Sequence, residues 1–402
     1  MALFITFCQA FTLRRLLGLA IVALLCLFLV RQIFYAEPHH GHVEPLRRMM
    51  ALGDTRKVIL FWTKFFGDDF STHINFDVVN SCPVHNCFLT SDRSYLHDST
   101  AVVFHADLEA TDLPLTRSVN QSFVFYLLES PFKHLGRFRQ QPYKGYFNLT
   151  WTYRHDSDVL ATYYMNSYQP NLGGDRASRA KKKNKALALI SNCQAPSNRD
   201  LYISELLQYF PVDVIGGCGN KTCPRGEWEC TKQFSEYRFY LAFENALCQD
   251  YLTEKAFRAF SHDILPIVLG QGNYNALLPP NSFLNVADFV SPKKLAEHLH
   301  YLSRNPDEYE QHFKWKQFSE HSRIPVAYNQ DRTDICQLCE IINRVPAIQS
   351  TYPDIHDWWV TQARCYVPLF SSAQKTRNLR SLLTLITTII FLRKYFSYDY
   401  FI

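Results

Sequence analysis

The sequence predicts an α/β protein built from two doubly wound, Rossmann-like domains that face a cleft. Continuous apolar runs, such as residues 58–62, are typical of strands that are buried on both faces of a sheet. In the second half of the chain such runs alternate with helical patterns, and this alternation favours a parallel sheet. A charged stretch without an apolar face, residues 173–185, separates the two series and predicts an exposed linker.

Length and composition agree with a folded protein of more than one domain. The chain has 402 residues, which suits two or three domains. Hydrophobic residues make up 47% and charged residues 20%, which excludes a disordered or collagen-like chain. The formal net charge of +5 is too small and too evenly spread to indicate a nucleic-acid partner.

An apolar segment near the N-terminus predicts a membrane anchor. Residues 16–36 reach the roughly 20 residues that cross a bilayer, and Arg14 and Arg15 before them favour a cytoplasmic tail at residues 1–15 and a luminal remainder. A cleavable signal peptide and a buried helix are the alternatives. Bulky residues at the end of the run argue against the first, and the missing polar face argues against the second. We therefore expect a signal anchor at residues 16–36 and a stem at residues 37–56.

Two domains and an extension are predicted after the stem. The first domain covers residues 57–172, with strands at 58–62, 101–105 and 122–128. The second covers residues 186–345, with strands at 186–190, 212–215, 239–243 and 264–269 and helices at 200–210, 253–260 and 291–303. The extension, residues 346–402, contains an apolar run at 381–392 that is too short to span a bilayer comfortably, so an interfacial helix or a packed extension is expected there.

Cysteines and glycosylation sequons agree with a secretory route. Ten cysteines lie beyond the anchor, an even number as disulfides require: Cys82, Cys87, Cys193, Cys218, Cys223, Cys230, Cys248, Cys336, Cys339 and Cys365. A zinc or redox role for the CxxC at 336–339 is the alternative, but no second CxxC is present, so we assign no metal. Sequons begin at Asn120, Asn148 and Asn220.

The common nucleotide, hydrolase and zinc-protease motifs are absent, and polar residues at strand ends are the candidates for chemistry instead. Glu129 follows the apolar run at 122–128 and precedes a Ser-Pro pair. A carboxylate at the end of a buried strand is a candidate general base. A loop carboxylate or a helix cap is the alternative.

Two further clusters lie in the second domain. Glu244 and Asn245 end one strand, and Thr253, Glu254 and Lys255 begin the next helix. Thr253 is a candidate N-cap, the helix N-terminus and Lys255 suit a phosphate, and Glu254 suits sugar hydroxyls. The alternative is an ordinary exposed helix start.

Arg199 follows the strand predicted at 186–190, and its guanidinium suits bidentate bonds to a pyrophosphate, although a surface arginine is the alternative. Asp156 and Asp158 form a DxD triplet, which invites a metal–nucleotide assignment. Two aspartates at this spacing are frequent by chance, and the pair lies outside the domain that we expect to bind nucleotide. We expect no metal there.

Four segments together resemble the Golgi α1,3-fucosyltransferases: LLESP at 127–131, FNLTWTYRHDSDV at 147–159, FYLAFEN at 239–245 and DYLTEK at 250–255. They occur in the family's order, and the resemblance covers about residues 58–370. SNC at 191–193 and GGCGNKTC at 216–223 are most similar to the insect and plant branches, which include enzymes that act on the N-glycan core.

The resemblance implies a GT-B fold and an inverting α1,3-fucosyltransferase in the Golgi membrane, with single-pass type II topology. It implies GDP-β-L-fucose as donor and N-acetylglucosamine of glycoprotein N-glycans as acceptor, the core residue being slightly favoured over an antennary lactosamine-type unit. The first domain would face the acceptor and the second would bind GDP-fucose. No cofactor is required by the sequence, but many family members are stimulated by manganese, so Mn²⁺ stimulation is left open.

The resemblance also assigns residue roles. Glu129 matches the general base, Arg199 and Lys255 match residues that neutralise the diphosphate, and Glu244 is a secondary candidate. The matching donor-contacting positions are Asn245, Tyr251 and Glu254. Cys82 and Cys87, together with Cys336 and Cys339, resemble the family's disulfides that tie the C-terminus to the N-terminal domain.

Two other functions are alternatives at this point. A related GT-B enzyme would use another nucleotide sugar, and a catalytically silent secretory protein would only bind glycans. The joint presence of Glu129, Arg199, Glu254 and Lys255 argues against the silent protein, since a binder needs no base.

Overall fold

The computed structural model describes residues 55–105, 108–161, 174–219, 233–318, 334–344 and 350–368. The predicted anchor at 16–36, Asn220, Cys223, Cys230 and the apolar run at 381–392 lie outside these ranges. Within these ranges, no helix combines the length and the apolar character needed to cross a membrane.

The first sheet has six described strands, all parallel, in the order β2-β1-β3-β4-β5-β6. They are β1 Lys57–Phe61, β2 Cys87–Thr90, β3 Ser99–His105, β4 Ser122–Leu127, β5 Leu149–Thr152 and β6 Val159–Leu160. Every residue of β4 is buried, as expected for a continuous apolar strand covered on both faces. The strands predicted at 58–62, 101–105 and 122–128 are confirmed.

The second sheet has five described strands, also all parallel, in the order β11-β10-β9-β7-β8. They are β7 Lys183–Leu189, β8 Val212–Ile215, β9 Tyr237–Phe243, β10 Leu265–Leu269 and β11 Leu284–Asn285. The four predicted strands of this domain are confirmed as β7 to β10. The predicted parallel α/β architecture with two sheets is therefore confirmed.

The described α-helices are α1 Arg176–Ala180, α2 Arg199–Leu206, α3 Lys255–Ser261, α4 Tyr274–Leu277, α5 Pro292–Arg304, α6 Pro306–Gln311 and α7 Asp334–Arg344. The 3₁₀ turns are Phe70–Thr72, Phe76–Ser81, Arg93–Asp98, Ala110–Asp112, Pro131–His134, Arg137–Arg139, Gln141–Tyr143, Gln233–Glu236, Val286–Asp288 and Lys314–Phe318, and a π-helical turn covers Asp357–Thr361. Helix α5 begins as predicted, because Ser291 accepts a hydrogen bond from the backbone N–H of Lys294 and proline follows it.

The predicted linker is exposed over most of the part that the structure describes, but it is not an unstructured connection. Residues 174–185 contain α1 and the start of β7. Arg179 is buried and donates to Asp263 at 3.0 Å and to Glu310 at 2.5 Å, and Lys316 also contacts Asp263. The lack of an apolar face misled the prediction, since this segment is held by buried ion pairs rather than by an apolar stripe.

The predicted end of the second domain at residue 345 is also wrong, because α7 packs on the first sheet. Leu338 of this helix is fully buried in the same core cluster as Ile59 and Trp151. The disulfides Cys82–Cys336 and Cys87–Cys339 fix the helix there, which confirms the tie between the N-terminal and C-terminal cysteines that the resemblance implied and gives the individual pairs. Residues 350–368 likewise bring Trp359 into the core on the other face of the first sheet.

The topology indicates where each sheet binds a ligand. The strand order reverses between β7 and β9 in the second sheet and between β1 and β3 in the first. In open parallel sheets the loops at the carboxyl ends of such strands diverge and leave a crevice. The loops that follow β7 and β9, residues 190–198 and 244–254, therefore flank the expected crevice of the second sheet.

Candidate functional site

Arg199 is the first residue of α2 and spans the reversal point of the second sheet. One guanidinium nitrogen donates to the carbonyl of Phe243 at 2.9 Å, and the other donates to the carbonyl of Asn192 at 3.0 Å. The side chain is buried, and burial lowers its pKa, although the negative charge of Glu244 opposes that shift. Arg199 is therefore a built-in part of the site, and the surface-arginine alternative is wrong.

Polar atoms beside Arg199 are buried without partners among the described residues. They are Nε of Arg199, Oγ of Ser197 and Oδ1 of Asn245. The loops that carry them are joined by a hydrogen bond from the backbone N–H of Ser197 to the carbonyl of Asn245, at 3.1 Å. A buried polar group left without a partner costs about 1–3 kcal/mol, so a polar ligand that bonds to these atoms recovers that energy.

The loop after β7 is held in an unusual conformation. Gln194 and Asn198 have φ of 57° and 51°, in the left-handed region that is costly for residues other than glycine. The disulfide Cys193–Cys218 ties this loop to the loop after β8. Gly216 has φ of 106°, and a Cβ there would lie 2.5 Å from the carbonyl oxygen of Ile190, so only glycine permits this close approach.

Lys255 is held by two carboxylates. Its Nζ lies 2.9 Å from Oε2 of Glu244 and 3.8 Å from Oε1 of Glu254, and it also donates to the hydroxyl of Thr253. Burial is the largest influence on the pKa of Lys255 and lowers it, but the two carboxylates outweigh burial and raise the pKa above its ordinary value. Lys255 therefore stays positively charged at neutral pH.

The predicted N-cap role of Thr253 is wrong. Glu254 occupies the cap position of α3 without a side-chain cap bond. Thr253 donates instead through its backbone N–H at 2.8 Å and through its hydroxyl at 2.9 Å to the buried carboxylate of Glu244. Glu244 needs these donors because it lies at the end of a fully buried strand. Its role in the structure is to orient Lys255.

Glu254 is partly exposed beside this cluster. Its Oε1 lies 3.3 Å from Arg258. Burial is the largest influence on the pKa of Glu254 and raises it, yet the charges of Lys255 and Arg258 outweigh burial and lower the pKa. Together with Arg199, the site thus contains three cations and two carboxylates, so it favours an anionic ligand.

The first sheet contributes Glu129, two residues beyond β4. The carboxylate is half-buried, and it has no hydrogen-bond or ion-pair partner among the residues that the structure describes. The hydroxyl of Tyr153 is buried, and burial is the main cause that raises the pKa of this tyrosine. The charge of Arg154 opposes the shift, and the charges of Asp250 and Glu129 add to it. Glu129 of the first sheet and Asp250 of the second thus act on the same tyrosine.

The loop after β9 packs into the core of the first sheet. The ring of Tyr251 lies 4.8 Å from the ring of Tyr153, which in turn contacts Trp359. Tyr251 is only 2% exposed, so its side chain contributes to this packing and not to an open donor surface. The disulfide Cys248–Cys365 fixes the same loop. This packing sets the loop after β9 against the sheet that carries Glu129.

The DxD triplet has a structural role. Asp156 accepts from Arg154 at 2.8 Å. Asp158 accepts from the backbone N–H of Thr150 and from the hydroxyl of Tyr352, both at 2.8 Å. In the described ranges, no group of three or more His, Cys, Asp or Glu side chains is arranged to hold a metal ion.

The sequons differ in their surroundings. Asn120 is exposed. Asn148 is buried: its Oδ1 accepts from the backbone N–H of Phe123 at 2.8 Å, and its Nδ2 donates to the carbonyl of Ser350 at 3.0 Å. A glycan would replace one hydrogen of Nδ2 with a sugar, and the buried position of this side chain leaves no access for it. The prediction of a glycan on Asn148 is therefore at odds with the folded structure.

Two parts of the chain match fucosyltransferase families. Residues 54–164 match the family described as "Fucosyltransferase, N-terminal", and residues 179–358 match "Glycosyltransferase family 10 (fucosyltransferase) C-term". The chain belongs to glycosyltransferase family 10. Membership of this family makes the protein a fucosyltransferase and therefore an enzyme. The alternative of a catalytically silent glycan-binding protein is wrong.

Curated relatives cover most of this fucosyltransferase. Alpha-(1,3)-fucosyltransferase C of Drosophila melanogaster is 31% identical over 77% of this chain and 79% of its own. Glycoprotein 3-alpha-L-fucosyltransferase A of the same organism is 32% identical over 69% of this chain and 55% of its own. GDP-fucose protein O-fucosyltransferase 3 of Xenopus tropicalis is 32% identical over 65% of this chain and 59% of its own.

A solved structure supports the fold. The crystal structure of an alpha1,3-fucosyltransferase with GDP matches with a TM-score of 0.50 at 17% identity, covering 74% of this chain and 93% of the other. This match confirms the predicted GT-B-like architecture.

Sequence reasoning missed several residues of this site. Ser197, Tyr153, His155 and Asp250 were not singled out, although His155 lies in the polar segment directly after β5 and Asp250 lies in the loop after β9. The signal that selected Glu129, polar residues just after a buried strand, could have found Tyr153 and His155, whereas Ser197 and Asp250 lie further along their loops.

Proposed function

We propose that this fucosyltransferase transfers L-fucose from GDP-β-L-fucose to O3 of N-acetylglucosamine in glycoprotein N-glycans, with the core residue slightly favoured over an antennary lactosamine-type unit. The observation that carries the donor assignment is the group of buried polar atoms without partners among the described residues, in the loops that hold Arg199 and Glu244, the partner of Lys255, at the reversal point of the second sheet. This is the place where an open parallel sheet binds a nucleotide, and the excess positive charge suits a diphosphate. The names of the relatives supply fucose and the α1,3 linkage.

In the proposed mechanism, Glu129 takes the proton from the acceptor hydroxyl. The oxygen then attacks C1 of fucose from the side opposite the diphosphate, the bond from C1 to the diphosphate oxygen breaks, and the β-linked donor yields an α-linked product. Glu129 is suited to this role because its carboxylate makes no hydrogen bond or ion pair with any described residue. Arg199 and Lys255 stabilise the departing GDP, and their charges are in place before the reaction begins.

Asn245 and Glu254 are proposed to contact the donor directly. Asn245 offers a buried oxygen without a partner among the described residues, and Glu254 is partly exposed next to Lys255. The buried ring of Tyr251 supports the wall of the site from the first sheet. No metal ligand is proposed from the chain, and manganese stimulation remains a question for the assay.

A transfer assay tests this function. The purified full-length protein receives GDP-fucose and defined acceptors, with and without EDTA, and mass spectrometry locates the added fucose. Because one relative is a protein O-fucosyltransferase, the panel includes peptides with serine and threonine beside core and antennary glycans. Fucose on N-acetylglucosamine supports the proposal, whereas fucose only on a peptide hydroxyl, or transfer only from another nucleotide sugar, refutes it.

Glu129→Gln tests the base. Turnover should fall by at least about 100-fold, the size of a general-base contribution, while GDP affinity stays within about twofold of the wild type. An equal loss of GDP affinity would contradict the role of Glu129.

Placement in the Golgi membrane through an anchor at residues 16–36 is part of the same proposal and is tested by microscopy of the full chain and of a variant that begins after residue 36.

A further inference from the structure

His155 and Asp250 join the two sheets at the site. Nδ1 of His155 lies 3.2 Å from Oδ1 of Asp250, and the backbone N–H of His155 donates to the other carboxylate oxygen at 3.3 Å. His155 follows β5 of the first sheet, and Asp250 follows β9 of the second. The pair is thus a direct polar contact between the acceptor-side and donor-side loops.

The geometry leaves the other ring nitrogen available. Nε2 of His155 has no partner among the described residues, and the side chain is 44% exposed, whereas Asp250 is only 15% exposed. A histidine whose Nδ1 is fixed by a carboxylate has a defined ring orientation, and its Nε2 diverges from that carboxylate. Asp250 is itself held with φ of 64°, a conformation that persists only where the surroundings impose it.

The neighbourhood connects this pair to Glu129. Tyr153 lies two residues before His155 and is buried. The charges of Asp250 and Glu129 both raise the pKa of Tyr153, beyond the larger effect of burial. The general base must touch the acceptor hydroxyl, so a hydrogen-bonding group in a loop at the same edge of the first sheet is placed to contact the acceptor. Glu129 follows β4 and His155 follows the neighbouring parallel strand β5, so both lie at the carboxyl edge of the first sheet.

We propose that His155 is an acceptor-positioning residue, in which Asp250 orients the imidazole and Nε2 hydrogen-bonds an oxygen of the acceptor sugar. This inference rests on the proposed function. It adds to the base a second fixed contact, which sets the direction from which the acceptor hydroxyl approaches. The charged groups that face the imidazole are Asp250 and Asp156, with Arg154 beside them.

The test compares His155→Ala, His155→Gln and the control His300→Ala in the full chain. His300 is exposed on α5, and its ring also makes one bond, to the carbonyl of Tyr209 at 2.9 Å. Acceptor KM, donor KM and the affinity for GDP are measured for each. For His155→Ala we expect the acceptor KM to rise about tenfold, the size of one hydrogen bond that involves a charged group, with donor KM and GDP affinity within about twofold of the wild type.

Glutamine should recover part of the acceptor affinity, because its amide can replace one hydrogen bond. His300→Ala should match the wild type. An unchanged acceptor KM in His155→Ala, a parallel loss of GDP affinity, or no recovery by glutamine would overturn the inference while leaving the proposed function intact. Absence of fucosyl transfer by the wild type would overturn both.

Discussion

Lys255 should serve both folding and donor binding, and a paired substitution separates the two roles. Replacing Lys255 alone by methionine leaves the carboxylate of Glu244, whose side chain is 2% exposed, with Thr253 as its only donor among the described residues. Breaking a buried ion pair by removing one partner costs about 3–5 kcal/mol. In a domain of this size we expect the melting temperature to fall by roughly 5–15 °C.

The double variant Glu244→Gln/Lys255→Met removes both charges together. Replacing a buried ion pair by neutral groups of similar volume is often close to neutral for stability, so the melting temperature should return to within a few degrees of the wild type. GDP binding should not return. A charge-assisted hydrogen bond contributes about 1.5–3 kcal/mol, so the affinity should stay roughly ten- to hundredfold weaker.

Calorimetric titration of GDP and a thermal melt of the same preparations measure both effects. Glu244→Gln alone is the control, because it keeps Lys255 and keeps acceptors for Thr253. If the stable double variant binds GDP as tightly as the wild type, Lys255 is only a structural counter-ion and its assignment to the diphosphate is refuted.

Three further predictions concern regions outside the donor contacts. Asp263→Asn should lower stability by about 3–5 kcal/mol, seen as a lower melting temperature, because it leaves buried cations without their shared carboxylate, while GDP affinity of the folded protein is unchanged. Asn120→Gln should remove one glycan from the protein made in a secretory pathway, seen as a loss of mass in mass spectrometry. Asn148→Gln should leave the glycan mass unchanged and lower the melting temperature. The hydrogen bond to Asp250 is the largest influence on the pKa of His155 and raises it, so the pair stabilises the fold fully below the ordinary histidine pKa and loses this effect as pH rises through the raised pKa. The difference in melting temperature between wild type and His155→Gln should therefore shrink as pH rises above the ordinary histidine pKa of about 6.5, and a constant difference would contradict this sign.

The strands were predictable because they are local apolar patterns. The run that contains β4 and the run that ends in β9 are buried at every position, and each predicted boundary lies within a few residues of the observed one. Glu129 and Asn245 could be selected for the same reason, since both follow such a strand directly. The resemblance also indicated that Cys82 and Cys87 are tied to the C-terminal Cys336 and Cys339, but the individual pairs, such as Cys82 with Cys336, come from the structure.

The sequence could not reveal contacts between distant segments. A charged stretch such as residues 174–185 is polar in sequence whether it is solvated or, as here, anchored by Arg179 to a carboxylate 84 residues away. Helix α7 has an ordinary amphipathic pattern, which fits either sheet, and only the structure shows that it packs on the first sheet and is joined to it by disulfides. The positions of these two segments are therefore visible in long-range ion pairs and disulfides, which the local periodicity of the sequence does not reveal.

The charge balance of the site shows why these contacts between distant segments matter for donor binding. From the sequence alone, Arg199 and Lys255 are simply two positive charges that can bind a diphosphate. In the structure, Arg199 already holds two backbone carbonyls and Lys255 already holds Glu244 and Glu254, so neither charge needs to be ordered when GDP arrives. Binding then costs little side-chain entropy, but it requires Lys255 to share its charge with the carboxylates. The donor affinity therefore reflects competition between GDP and the protein's own anions, so the double substitution of this pair is more informative than the loss of either residue alone.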